Sequence, residues 1–337
     1  MALAMRKTLI VMAAMAGIGL TVWLVWLVGY DSLLESLRLA GLSGLAWLCL
    51  ASVVPTILLG VAWRSLVPPQ HRVPLKEFVL GRMVRDAVSD ISPLTVVGGM
   101  LASIRVMMLR KLLPAYAIAS TAVDATTEML AQVAFIALGI AICIAKLESM
   151  PDDAAFYEAL TAGVVIVLIA ALLVTVLANG GIKPLKNLAL RMLPQVKVEI
   201  TSTWALYELF GSYRRIAASC AIHFAAWLGG GFLTYLAFAL VGAEISFLEA
   251  LAIEALLCML RSIVFFVPAS LGVQEAGYAM LAPLFGAPPE LGLAVSLLRR
   301  AREIIAGLPA LLIWQLLEGG AMWNRCAPAS LKSEAPK

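Results

Sequence analysis

The sequence predicts an all-α polytopic membrane protein of about six full spans and two re-entrant, broken-helix hairpins, arranged as an inverted internal repeat. Three observations carry this. The 337 residues are 62% hydrophobic and only 14% charged, whereas a soluble chain carries about 25% charged residues. The uncharged runs reach about twenty residues, enough to cross a hydrocarbon core roughly 30 Å thick. Two further apolar stretches are interrupted by Pro and Gly in a similar way, and non-helical backbone survives at membrane depth only where protein or a watery cavity satisfies it. Disordered, collagen-like and disulfide-scaffold chains are excluded. The net charge of +4 is small and gives no basis for a nucleic-acid partner. Cys49, Cys143, Cys220, Cys258 and Cys326 show no C-x-x-C spacing, so neither a disulfide framework nor a metal site is implied. They read as small apolar packing residues, and no cofactor is implied.

In chain order, residues 1–150 form the first repeat, with spans at 8–29, 42–66 and 115–145 and a hairpin at 84–109. Residues 151–320 form the second, with spans at 157–177, 221–241 and 291–317 and a hairpin at 247–284; residues 321–337 make a polar cytoplasmic tail. The first run follows Arg6 and Lys7 as a signal peptide would. It is too long for one, however, and lacks a small-x-small cleavage site. The hairpin breaks are SPLTVVGG at 92–99, with Pro93, Gly98 and Gly99, and VPASLG at 267–272, with Pro268 and Gly272. An ordinary span kinked by proline is the alternative at each. Lys76-Glu77-Phe78 before the first break resembles Leu248-Glu249-Ala250 before the second, at an offset of about 172 to 175 residues. Broken helices in inverted halves are a common plan of secondary transporters. Residues 33–39 and 185–193 suit short surface-lying helices. Trp23, Trp26, Trp47, Trp63 and Trp314 lie near span ends and suit interfacial anchoring.

Lysine and arginine set the orientation, because cytoplasmic loops carry an excess of both. With the N-terminus inside, 19 of the 25 basic residues fall in inner segments, Arg82, Arg85 and Arg105 among them. The outer segments keep only Arg38, Lys146 and Arg261, while collecting acids that include Glu249, Glu254 and Glu275. Both termini are therefore expected in the cytoplasm, and the two hairpins are expected to enter from opposite sides.

Ionisable residues inside apolar spans are expensive and point to function. TAVDATTE at 121–128 places Asp124 and Glu128 four residues apart on one helix face. SLLRRARE at 296–303 carries Arg299, Arg300, Arg302 and Glu303. At an offset of 175, Asp124 aligns with Arg299 and Glu128 with Glu303, so an ion pair between the halves is expected. Helix locking is the alternative role. A helix restarting after Gly98-Gly99 or Gly272 would turn its partially positive N-terminus toward mid-membrane and suit an anionic headgroup. Glu275 either neutralises that end or contacts substrate, Gln274 is the polar neighbour most suited to reach a ligand, and Asp90 and Ser92 suit caps before Pro93. His223 is a hydrogen-bonded packing residue or a proton relay, and Gly229-Gly230-Gly231 permits close helix approach or a kink. No nucleophile elbow, H-E-x-x-H, P-loop or dinucleotide motif occurs in a usable context.

FVPASLGVQEAG at 266–277, then APPE at 287–290 and SLLRRARE, resembles the lysyl-phosphatidylglycerol synthase/flippase transmembrane family. The likeness extends over about residues 10–320 and is greatest to the compact branch of hopanoid-biosynthesis-associated membrane proteins. Large members join this region to a soluble aminoacyl transferase domain that has no counterpart in these residues, so aminoacylation is not implied. The resemblance implies a flippase-like unit that moves a polar or isoprenoid-derived lipid between leaflets of a bacterial inner membrane, with Glu275 and the arginines of 299–302 as functional positions. A membrane-embedded lipid-modifying enzyme using Asp124, Glu128 or His223 is one competing expectation. A non-transporting scaffold for lipid-biosynthesis enzymes is another.

Overall fold

The computed structural model describes residues 30–71, 73–91, 95–147, 205, 208–264 and 267–326. Among them every regular element is helical: α1 (Tyr30–Leu66), α2 (Leu75–Ile91), α3 (Thr95–Leu109), α4 (Pro114–Leu147), α5 (Tyr213–Leu240), α6 (Phe247–Ile263), α7 (Val273–Leu281) and α8 (Pro289–Cys326), with short 3₁₀ turns at Pro268–Ser270 and Ala282–Phe285. The expected spans at 8–29 and 157–177, the surface helix at 185–193, Pro93 and residues 327–337 lie outside the described residues.

Among the described residues three helices are long and apolar enough to cross a membrane: Arg38–Leu66, Pro114–Lys146 and Tyr213–Leu240. They match the expected spans at 42–66, 115–145 and 221–241, extended by a few residues. The expected span at 291–317 is the middle of the 38-residue α8, long enough at about 57 Å but carrying Arg299, Arg300, Arg302 and Glu303 in mid-helix. Because α8 continues to Cys326, residues 321–326 are helix rather than tail.

Gly41 interrupts α1 with φ 58°, a left-handed conformation open to glycine, which kinks the helix three residues into the apolar stretch that begins at Arg38. The first hairpin is longer than the expected 84–109: α2 starts at Leu75, and α3 already restarts at Thr95. Gly98 and Gly99 are therefore helical rather than part of the break, and Asp90 sits in the last turn of α2 rather than at an N-cap. Gly99 serves close packing instead, since a Cβ there would collide with the Arg85 carbonyl oxygen and Ser89 Oγ.

In the second half, α6 opens with a capping box in which the Ser246 N–H donates to Glu249 at 2.8 Å and Ser246 Oγ accepts from the Glu249 N–H at 3.3 Å. After Ile263 the chain turns through Ala269, Ser270 and Gly272, all at positive φ, and Gly272 caps α7. Helices in lipid associate through close packing of small residues rather than through the hydrophobic effect. Gly229 lies against Pro55 of α1 and Gly231 against Leu251 of α6, so the triple-glycine run gives close approach within an unbroken α5.

One core joins α1, α5, α6, α7 and α8 around Leu48, Phe238, Leu257, Tyr278 and Leu293. A second joins α1 to α4 around Trp63, Phe78, Ile104 and Val123. Trp63 is thus no interfacial anchor: it is fully buried and its Nε1–H donates to Ser120 Oγ at 3.1 Å. Trp47 is exposed, and with Leu42, Val54, Leu312 and Leu316 it belongs to the outward apolar surface.

Candidate functional site

The α2 and α4 helices bring four charges together inside apolar surroundings. Arg82 and Arg85 are three residues apart on α2, and Asp124 and Glu128 four apart on α4, so each pair shares a helix face. Arg82 donates to both Glu128 oxygens, at 2.8 and 2.5 Å, and to Asp86 at 3.0 Å. Arg85 donates to Asp124 at 3.0 Å and to Glu128 at 2.9 Å. His223 of α5 is fully buried and its Nε2 lies 3.1 Å from the other Asp124 oxygen, consistent with the hydrogen-bonded packing role. Bidentate guanidinium–carboxylate geometry of this kind is the strongest form of charged hydrogen bond.

Across from it, α6 and α8 form a second pair. Arg299 contacts both oxygens of Glu254 at 3.0 Å. Tyr278 donates to the same carboxylate at 2.7 Å and Thr234 at 2.5 Å, and Arg299 also donates to Thr234 Oγ1 and the Gly230 carbonyl. Glu254 is 3% and Arg299 6% exposed.

Between the two clusters lies a cavity of about 210 Å³ walled by α1, α2, α4, α5, α6 and α8. Glu128, Arg82 and Asp86 face it from one side, Glu254 and Arg299 from the other. Asp90, Arg261, Arg302 and Glu303 complete the wall. The space matches a polar headgroup and falls well short of a whole lipid. Buried charges must be paired or must line water, and both conditions meet here.

The expected site residues therefore divide. Glu128, Arg299, Arg302 and Glu303 line the cavity, and Asp124 stands behind it, holding Arg85. The expected pairing of Asp124 with Arg299 is incorrect: each is paired within its own half, to Arg85 and to Glu254. Residue offset equates depth along two helices but not the face each helix turns. Gln274, Glu275 and Arg300 form a separate group at the second break, where Arg300 donates to Glu275 at 3.0 Å and to the Ala269 carbonyl at 2.8 Å, and Gln274 reaches the Ser296 carbonyl at 3.5 Å. Gln274 and Glu275 are buried and not open to the cavity.

Sequence reasoning missed Arg82, Arg85, Glu254 and Arg261, which it counted as loop charges. The three-residue spacing of Arg82 and Arg85, interleaved with the fully buried Val84, was the available signal. Among the described residues, no group of His, Cys, Asp and Glu is placed to hold a metal ion.

Residues 12–310 match the family described as the lysylphosphatidylglycerol synthase TM region. No curated protein and no solved structure matches the chain.

Proposed function

Because the chain belongs to the lysylphosphatidylglycerol synthase transmembrane family, whose members point to a membrane lipid-related function, we propose that it is a flippase-like lipid translocase. In this reading it sits in a bacterial inner membrane with both termini cytoplasmic and serves hopanoid or envelope-lipid biosynthesis. The observation that carries the reading is the charged cavity between the two buried charge clusters, walled by six helices of a chain that is 62% hydrophobic. Its scale suits a headgroup, leaving acyl chains outside along the exposed Leu and Val surface.

The inverted repeat belongs to the same proposal. Helices α2 and α6 are both 17 residues long, and each precedes a break and then a long helix, α4 or α8. Both arrangements set a hairpin charge against a long-helix charge of opposite sign. Two pseudo-equivalent halves around one polar site are what alternating exposure to two leaflets requires. Glu128, Arg299, Arg302 and Glu303 take the headgroup, Asp124 orients Arg85, and Arg300 with Glu275 fixes the turn at Pro268 and Gly272.

An enzymatic role is less well supported. A general base must be free to accept a proton, and Asp124 and Glu128 are both committed to arginines. The test is reconstitution of the full chain in vesicles with a fluorescent phospholipid in both leaflets. Added dithionite should bleach nearly all of the lipid rather than the outer half, with the lipid recovered chemically unchanged. Bleaching that stops at half for every headgroup, or a converted product, would overturn the reading.

A further inference from the structure

The charges around the cavity are not equally engaged. The outer pairs are tight, at 2.5 to 3.0 Å. The remaining four are loose: Arg261 stands 3.7 Å from Asp90, and Glu303 has Arg302 at 3.5 Å from one oxygen and Arg300 at 3.5 Å from the other. Arg302 Nε and Glu303 Oε2 are buried yet without a hydrogen bond, although Glu303 is only 8% exposed. Leaving such an atom without a hydrogen bond costs about 1–3 kcal/mol, more when it is charged, and the cation near Glu303 Oε2, Arg300, stands at ion-pair distance without bonding it, so this corner keeps hydrogen-bonding capacity for a ligand.

The four residues also come from both halves. Asp90 lies in the last turn of α2 and Arg261 in the last turn of α6, and these two helix ends meet at residues of α8. Asp90 interacts electrostatically with Glu303, Arg261, Asp86 and Arg302; with Asp86 matched by Arg82, the other four form a ring of two basic and two acidic residues.

We propose that the ring of Asp90, Arg261, Arg302 and Glu303 is a subsite for a zwitterionic headgroup, a phosphodiester with a nearby ammonium. This rests on the translocase reading and narrows its substrate. A purely anionic group that took Arg261 and Arg302 would strand two buried carboxylates, and a purely cationic one would strand two guanidinium groups. A zwitterion replaces both loose pairs at once, with phosphate against the arginines and ammonium against Asp90 and Glu303, and the site remains neutral throughout. Charge balance therefore selects the ligand, since an unpaired buried charge costs far more than a pair exchanged.

The test is native mass spectrometry of the full chain from micelles holding equal amounts of dioleoyl-phosphatidylethanolamine, dioleoyl-phosphatidylglycerol, a cationic trimethylammonium diacyl lipid and an uncharged diglucosyl lipid. Phosphatidylethanolamine should occupy the protein at least tenfold more than each of the others. Soluble glycerophosphoethanolamine distinguishes the source: displacement at micromolar concentration identifies the free headgroup as ligand, and no displacement identifies the lipid. Asp90→Asn with Glu303→Gln should shift preference to phosphatidylglycerol, and Arg261→Gln with Arg302→Gln to the cationic lipid. Preference of the wild type for any of the other three lipids overturns the inference, as does an equal loss of all four in both variants. The wild-type ranking decides alone if the variants do not fold. Vesicle transport that fails while this ranking stands overturns the translocase reading only; transport that proceeds with a flat ranking overturns the zwitterion subsite only.

Discussion

The two buried charge clusters use the same parts with opposite sign. In the first half the hairpin helix carries the arginines, Arg82 and Arg85, and the long helix α4 the carboxylates, Asp124 and Glu128. In the second half the hairpin helix carries Glu254 and the long helix α8 Arg299. What recurs is a clamp between a hairpin and a long helix, and its polarity is free. The clusters differ in redundancy. The first shares two cations among Asp86, Asp124 and Glu128, so Arg82, Arg85, Asp124 and Glu128 each keep a partner when any one of them is lost. The second is a single ion pair whose remaining hydrogen bonds come from the neutral hydroxyls of Thr234 and Tyr278. The second clamp should therefore be the more brittle.

The largest effect is expected at Arg299. Arg299→Leu leaves Glu254 buried with hydroxyl partners only and should cost about 3–5 kcal/mol, while Glu254→Leu combined with Arg299→Leu should recover most of it. Thermal unfolding of the purified proteins in detergent measures both. A double variant as unstable as the single would mean that the pair itself, and not charge balance, holds α6 to α8.

Asp124→Asn should do less. Arg85 keeps Glu128 and Arg82 keeps Glu128 and Asp86, so the loss is that of one charged hydrogen bond, about 1.5–3 kcal/mol. Denaturant titration alongside Arg299→Leu sets the order, and a larger loss for Asp124→Asn would reverse the comparison. Tyr278→Phe should sit at the low end of that range, about 1.5 kcal/mol, because its donor is uncharged and Glu254 keeps Arg299 and Thr234. A loss above that of Asp124→Asn would make the hydroxyl, rather than the guanidinium, the main support of the second clamp.

The three long apolar helices could be read from the sequence because lipid imposes a one-dimensional rule: twenty apolar residues cross. The candidate site was legible only in its parts. Glu128, Arg299, Arg302 and Glu303 stood out as charges in apolar runs, and they do meet at one cavity. Their partners were hidden because Arg82 and Arg85 lie in a helix of mixed composition that looks like a basic loop, and Glu254 and Arg261 in a stretch read as an outer segment. Which helix faces which is decided by packing, as where Gly99 lets α3 seat on α2 beside Arg85, and no pattern along one helix encodes that. Trp63 shows the same limit: its position near a span end suggested the interface, but Ser120 of α4 supplies a buried acceptor for its N–H.

The central proposal is that the ion pairs lining the cavity serve lipid passage and not only the fold. The direct measurement is the rate of dithionite bleaching of inner-leaflet fluorescent phospholipid in vesicles holding the Glu254→Leu, Arg299→Leu double variant, beside wild type at equal protein density. The account predicts a folded, monodisperse double variant whose lipid movement falls at least tenfold, to near that of protein-free vesicles. Wild-type bleaching kinetics in that variant would contradict it and reduce the second clamp to a helix lock.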